Sequence, residues 1–188
     1  MKPRIGFAFC GSFCTMNAAI GQLQTLAETY EITPILSDAV AELDTRFGAA
    51  AEFRQRIEAA CRAAALCTLD AVEPLGPKKL LDLLVVAPCT GNTLGKLAHG
   101  VADTPVTFAA KAHLRNGRPI VLAVSTNDGL AASAENIGKL LGRKHFYFVP
   151  FRQDSPSGKP YSLVADFALL PETVAFAMMK QQLQPILR

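Results

Sequence analysis

The apolar run LLDLLVVAP, Leu80 to Pro88, is followed at once by a cluster of polar residues in PCTGNT, where Cys89, Thr90, Asn92 and Thr93 surround Gly91. Pro88 reads as the end of the strand. Glycine lets backbone approach a ligand closely, and hydroxyls with an amide supply directed donors and acceptors. Such a set suits a small anion or a ring with polar edges. Asn92 both donates and accepts, as the edge of a pyrimidine-like ring requires. Three other stretches have a similar composition: CGSFCT, SDAVAELDTRFG and STNDGL. In the first, Gly11 allows close approach and Ser12 reads as a helix N-cap whose hydroxyl can also donate to a phosphate. In the second, Ser37 offers another hydroxyl and Arg46 a guanidinium able to grip a phosphate or carboxylate at two points. A capped turn without ligand is the alternative at the first, and Ser37 and Arg46 read equally well as a turn residue and a solvated charge. Gly6, Gly11 and Gly21 lack the spacing of a dinucleotide fingerprint, and only Asp38 resembles the acid that would receive a ribose.

These stretches follow runs of strand length: Arg4 to Phe9, Glu31 to Leu36, Leu80 to Pro88, Pro119 to Val124 and His145 to Pro150. Several of the runs lack alternation, as strands covered on both faces should. Between them lie helical stripes, one of Phe13, Met16, Ile20, Leu23 and Leu26, another of Phe53, Ile57, Cys61 and Ala64. Asp103 or Thr104 followed by Pro105 opens a further helix that ends near Asn116 and Gly117. AENIGKLLG and PETVAFAMMKQQL complete the helical segments. Strands alternating with helices predict an α/β domain with a doubly wound, mostly parallel sheet and helices on both faces, three layers in all. In such sheets ligands bind beyond the carboxyl ends of the strands, where the polar stretches fall. Pro150 to Ser162, with three prolines and mixed charge, reads as a long loop of the functional kind.

With 188 residues, half of them hydrophobic and 19% charged, the expectation is a single domain over 1–188 with a C-terminal helix. The 19 basic and 16 acidic residues are interspersed, so no basic stripe marks a nucleic-acid surface. The N-terminal MKPRIGFAFCGSF reads as a strand rather than a leader, and no apolar run has membrane-spanning length, so a cytoplasmic protein is expected. Five cysteines without CxxC spacing argue for reduced thiols rather than disulfides or a metal site.

PCTGNTLGKLAHGVADT resembles the motif PAS/TANTxxKxAxGxxDN of the homo-oligomeric flavin-containing cysteine decarboxylases and flavin prenyltransferases. AFCGSF resembles that family's first Gly/Ser/Thr loop, Ser37 its hydroxyl after the second strand, and VSTNDGL its PxMNxxM pattern, of which Asn127 is kept. The resemblance implies a flavodoxin-like (Rossmann-like) fold, a trimer-based homo-oligomer, and FMN at an interface between copies. It implies FMN contacts from Gly11, Ser12, Phe13, Ser37, Pro88, Cys89, Thr90, Asn92, Thr93 and Ser125, and a carboxylate contact from Asn127. The decarboxylases carry a histidine upstream of this motif where Pro74 stands here. His99, His113 and His145 read as structural, so peptidyl-cysteine decarboxylation is not expected.

SDAVAELDTRFG, NIGKLL, YFVPFRQDSP with KPYSLVADF, and LLPETVAFAMMKQQLQPIL extend a closer resemblance over most of the chain. It is to the family of dipicolinate synthase B subunits of endospore-forming bacteria, with Arg152 in place of an expected glycine. This resemblance implies action with a second polypeptide, the synthase's A subunit, which would carry NAD(P). Together the two would oxidise dihydrodipicolinate to dipicolinate during sporulation in the mother-cell cytoplasm. The substrate's two charges would then be met by Arg46, Arg152 or Lys159, with Thr126 and Asn127 orienting a carboxylate. Two other readings stay open: a self-sufficient FMN-dependent decarboxylase or prenyltransferase, and a non-catalytic assembly subunit.

Overall fold

The computed structural model describes residues 2–188. Five parallel strands, β1 (Arg4–Phe9), β2 (Glu31–Leu36), β3 (Leu83–Cys89), β4 (Ile120–Thr126) and β5 (Phe146–Phe148), lie in the order 2-1-3-4-5. Every residue of β3 is buried, which explains its unbroken apolar run: helices cover both of its faces. The helices in chain order are α1 (Met16–Thr29), α2 (Asp38–Glu42), α3 (Ala50–Cys61), α4 (Leu69–Val72), α5 (Gly91–His99), α6 (Pro105–Arg115), α7 (Ala134–Leu141) and α8 (Leu170–Met178). α1 and α8 pack on one another and on β3, while α6 packs on β3 and β4 beside α5. The stripe of α1 delivers Met16, Ile20, Leu23 and Leu26 to the core. α6 opens with a capping box, Thr104 and Thr107 each bonding the other's backbone N–H, followed by Pro105.

Two further strands depart from the sequence expectation. Pro150 to Ser162 is not a loop: β6 (Phe151–Ser155) and β7 (Lys159–Ala165) form an antiparallel hairpin. Its prolines disguise it, since proline removes a ladder donor. Pro156 falls in the turn, and Pro160 follows Lys159 close to a register shift between Gln153 and Ser155. β4 serves two neighbours along its length. Ile120 to Leu122 pair with β5, and Ser125 and Thr126 pair with Val164 and Leu163 of β7. Because β5 ends at Phe148, the hairpin takes the space above it and stands over the carboxyl ends of the parallel strands.

Candidate functional site

The exits of β1, β3 and β4, the loop before α3 and the β6–β7 hairpin enclose a cleft of about 550 Å³, a size suited to a small ligand. At its floor three hydroxyls converge from distant parts of the chain. Ser12 Oγ lies 2.8 Å from Ser125 Oγ, and Thr15 Oγ1 donates to Ser125 Oγ at 3.1 Å and to Ser12 O at 3.1 Å. The side chain of Ser12 does not cap a helix, contrary to the sequence expectation, because its hydroxyl is drawn across to β4 instead. Gly11 packs closely enough that a Cβ there would meet Ala39 Cβ at 3.2 Å and the Phe13 ring at 3.4 Å, which brings the end of β1 against the turn after β2. Ser37 sits on that turn, and its Oγ is buried with no hydrogen-bond partner. The three neutral donors Ser12, Thr15 and Ser125, grouped in this way, form a suitable set for an oxyanion such as a phosphate ester, whereas the unsatisfied Ser37 hydroxyl lies outside the cleft lining.

The start of α5 is pinned to the exit of β4. A Cβ on Gly91 would lie 2.6 Å from Ser133 Oγ, 2.7 Å from Thr126 Oγ1 and 2.8 Å from Asp128 Oδ1, so only glycine fits without displacing them. The Asp128 carboxylate accepts from the Thr126 hydroxyl and from Ser133 Oγ at 2.8 Å. The Thr126 bond, then that of Ser133, hold this carboxyl below its usual range against the opposing effect of burial. At the same junction Thr90 caps α5, its hydroxyl accepting from the Thr93 N–H at 3.3 Å.

Two cations line the cleft. Arg46 lies in a turn closed by paired bonds between Thr45 and Gly48 (N to O 3.0 and 3.1 Å) and tied to α3 by Asp44, which accepts from the Ala50 N–H at 2.9 Å. Its guanidinium covers the neighbouring Phe47 ring at 4.9 Å from the centroid. Lys159, on β7, contacts Asp154 Oδ2 at 2.8 Å, and that bond raises the lysine's pKa.

Gly11, Ser12, Phe13, Thr90, Ser125, Thr126, Asn127, Arg46 and Lys159 therefore share one cleft. The other residues singled out in the sequence do not line it. Pro88 does not stop β3 but lies within it, where the ladder shifts register before Cys89. Cys89 is fully buried, and burial holds its thiol well above the ordinary value; Cys10 is pushed up to about 11 for the same reason. Neither thiol is poised as a nucleophile. Thr93 turns inward and donates to Cys10 Sγ at 3.3 Å, whereas Asn92, one residue earlier on α5, is exposed. Arg152 is exposed on β6 and Ser37 sits on the turn that abuts Gly11, and neither lines the cleft. His113 is buried with Nε2 3.0 Å from Pro119 O, His99 Nδ1 is 2.9 Å from Gly95 O, and neither these nor His145 lines the cleft. Sequence reasoning misses Thr15, Cys14, Phe47 and Asp154 as cleft residues. The signal for Asp154 is present in VPFRQDSP, but the hairpin that aims it has the composition of a loop.

Among the described residues no group of three or more His, Cys, Asp or Glu is placed to hold a metal ion, and no helix is long and apolar enough to cross a membrane. The model of the family described as Flavoprotein matches residues 1–154. The dipicolinate synthase B subunit of Bacillus subtilis (strain 168) is 46% identical over 185 residues, covering 98% of this chain and 92% of that protein. The crystal structure of the dipicolinate synthase B subunit from Bacillus halodurans superposes with a TM-score of 0.91 at 41% identity, covering 100% of this chain and 98% of that one. The FMN-dependent cysteine decarboxylase SpaF shares the fold, with a TM-score of 0.65 at 20% identity over 96% of this chain and 97% of its own. The flavodoxin-like sheet order and the matches along the chain lead to one assignment: the protein belongs to the Flavoprotein family and is a homologue of the dipicolinate synthase B subunits.

Proposed function

We propose that this chain is the flavin-type subunit of dipicolinate synthase and acts with the synthase's A subunit to oxidise dihydrodipicolinate to dipicolinate. The observation that carries the reading is the convergence, in one cleft, of a phosphate-type hydroxyl cluster with two cations on separate elements, Arg46 and Lys159. The similarity to dipicolinate synthase B subunits over nearly the whole chain supports it.

The donor set fits FMN. Ser12, Thr15 and Ser125 would hold its phosphate, and the orphaned Ser37 hydroxyl, on the turn beside Gly11, is the further candidate donor. Thr90 and Gly91 would face the ring system. A bound flavin would supply a two-electron acceptor for hydride. The protein's own groups do the rest. Arg46 and Lys159, on separate elements, bind the two substrate carboxylates, and Asn127, exposed at the end of β4, orients one of them. The hairpin, through Ser162, Leu163 and Val164, roofs the site and limits water. In this reading NAD(P) resides on the partner polypeptide, and the chain assembles into a trimer-based homo-oligomer in the mother-cell cytoplasm of a sporulating bacterium.

Mixing the purified chain with its partner polypeptide tests the reading. Dipicolinate is expected to form from dihydrodipicolinate only when both are present. Full turnover by the partner polypeptide in isolation would contradict it and favour an assembly role. Decarboxylation of a peptidyl cysteine by the chain alone would favour the decarboxylase alternative, against which stands the placement of all three histidines outside the cleft.

A further inference from the structure

The β6–β7 hairpin carries the one carboxylate that lines the cleft among the described residues, that of Asp154. β6 does not run as a regular strand there. Gln153 pairs with Leu163 and Ser155 with Lys159, and the register shift between them leaves Asp154 at an irregularity of the ladder. In an unbroken strand Arg152 and Asp154 would point to the same side, yet Asp154 lines the cleft and Arg152 does not. Irregularities of this kind re-aim a side chain and are frequent beside active sites. The carboxylate is also oriented. Oδ2 is held by Lys159 Nζ at 2.8 Å, and Oδ1 makes no hydrogen bond within the described residues. The remaining titratable groups of the cleft are Cys14 on the turn before α1, Arg46 before α3 and Lys159 itself. Of these, the two cations have no electron pair to offer a proton, and Cys14 is directed toward Ser12 Oγ, 3.7 Å away.

We propose that Asp154 is the proton acceptor in the oxidation of the bound dihydropyridine dicarboxylate, its carboxylate positioned by Lys159. The proposal rests on the reading given under Proposed function. Making the ring aromatic removes two electrons and two hydrogens. One ring C–H bond breaks with its electron pair, which leaves as hydride to a flavin or nicotinamide acceptor. The neighbouring C–H bond, acidified by the adjacent carboxylate and imine, breaks the other way. Its proton goes to Asp154 Oδ1, and its electron pair becomes the new ring double bond. Lys159 keeps a second donor for a substrate carboxylate while it holds Oδ2, which places base and substrate on one cation. A positioned base of this kind contributes about 10²–10⁴-fold to rate.

The experiment compares wild type, Asp154→Asn, Asp154→Ala and Lys159→Met in the complex with the partner polypeptide. Both Asp154 variants are expected to lose about a hundredfold or more in kcat. Flavin binding and the circular dichroism spectrum should match wild type, and KM should change little. Added formate should restore part of the turnover of Asp154→Ala, where a space has been opened, and none of Asp154→Asn. Lys159→Met should lower kcat and raise KM together. Wild-type kcat in Asp154→Asn would overturn the proposal and leave the reading of the function intact, as would a loss that formate does not rescue in Asp154→Ala. A wild-type complex that does not oxidise dihydrodipicolinate would overturn both.

Discussion

Replacing Gly91 by alanine separates a helix-propensity effect from a packing effect that opposes it. In an exposed helix, glycine to alanine stabilises by about 1 kcal/mol through lost unfolded-state freedom. At Gly91 the added methyl would sit 2.6–2.8 Å from three oxygens at once, those of Ser133, Thr126 and Asp128. These are mutually bonded, and Ser133 is only 2% exposed, so the cluster has little room to yield. Separating the carboxylate from one hydroxyl forfeits a hydrogen bond to a charged group, worth about 1.5–3 kcal/mol. Overpacking of this order costs about 1–3 kcal/mol by itself. Against the propensity gain, the net loss is about 1.5–5 kcal/mol, or about 3–20 °C in Tm for a chain of this length. Gly95→Ala is the control on the same helix, since its nearest neighbour would be Asn136 Nδ2 at 3.5 Å. Urea unfolding and thermal melts should separate the two variants, Gly91→Ala going down and Gly95→Ala staying level or rising slightly. Equal stability of the two would refute the argument that the Asp128 cluster excludes every side chain but hydrogen at position 91.

His113 provides a pH-dependent test. Burial lowers its pKa from 6.5 to about 4, so the folded state holds it neutral while the unfolded chain takes up a proton first. Its contribution is therefore complete above pH 6.5 and is lost as pH falls toward 4, on the order of 3 kcal/mol across that window. Urea midpoints measured between pH 7 and pH 4 should fall along this course in wild type and more shallowly in His113→Gln. Ser12→Ala and Ser37→Ala together should weaken flavin binding more than either alone, measured by fluorescence quenching; unchanged affinity in the double variant would remove both from the phosphate site. Arg46→Ala should raise KM for the dicarboxylate about tenfold or more with a smaller effect on kcat, because a cleft-facing guanidinium–carboxylate bond acts in ground and transition state alike. Arg152→Ala, at an exposed position of β6 that does not line the cleft, should leave both constants unchanged in steady-state assays.

The parallel sheet is the legible part of the fold. The runs Arg4 to Phe9 and Glu31 to Leu36 coincide with β1 and β2 because continuous apolar strands bounded by polar turns carry a local signal. The Thr104–Pro105 helix start is legible for the same reason, since a cap is a short-range device. The hairpin is not, because Pro150, Pro156 and Pro160 are locally unfavourable to strands and only pairing with the top of β4 overrides them. At the site, residue types at the strand exits are informative but their orientation is not. Ser12 bonds Ser125 across 113 positions of sequence, and Thr93 meets Cys10 across 83. Asn92 and Thr93 are adjacent, yet helical geometry exposes one and buries the other. Gly91 is readable as a point of close approach, but the group approached is the protein's own Asp128 cluster.

Whether the hydroxyl cluster of the cleft holds a flavin phosphate is tested by titrating the purified chain with FMN, in the presence and absence of the partner polypeptide, following flavin fluorescence and the visible spectrum. Saturable, stoichiometric quenching is expected, weakened about a hundredfold or more when Ser12 and Ser125 are both replaced by alanine, as loss of two hydrogen bonds to a charged group requires. Absence of binding in both states, or binding indifferent to those two hydroxyls, would contradict that assignment of the cluster.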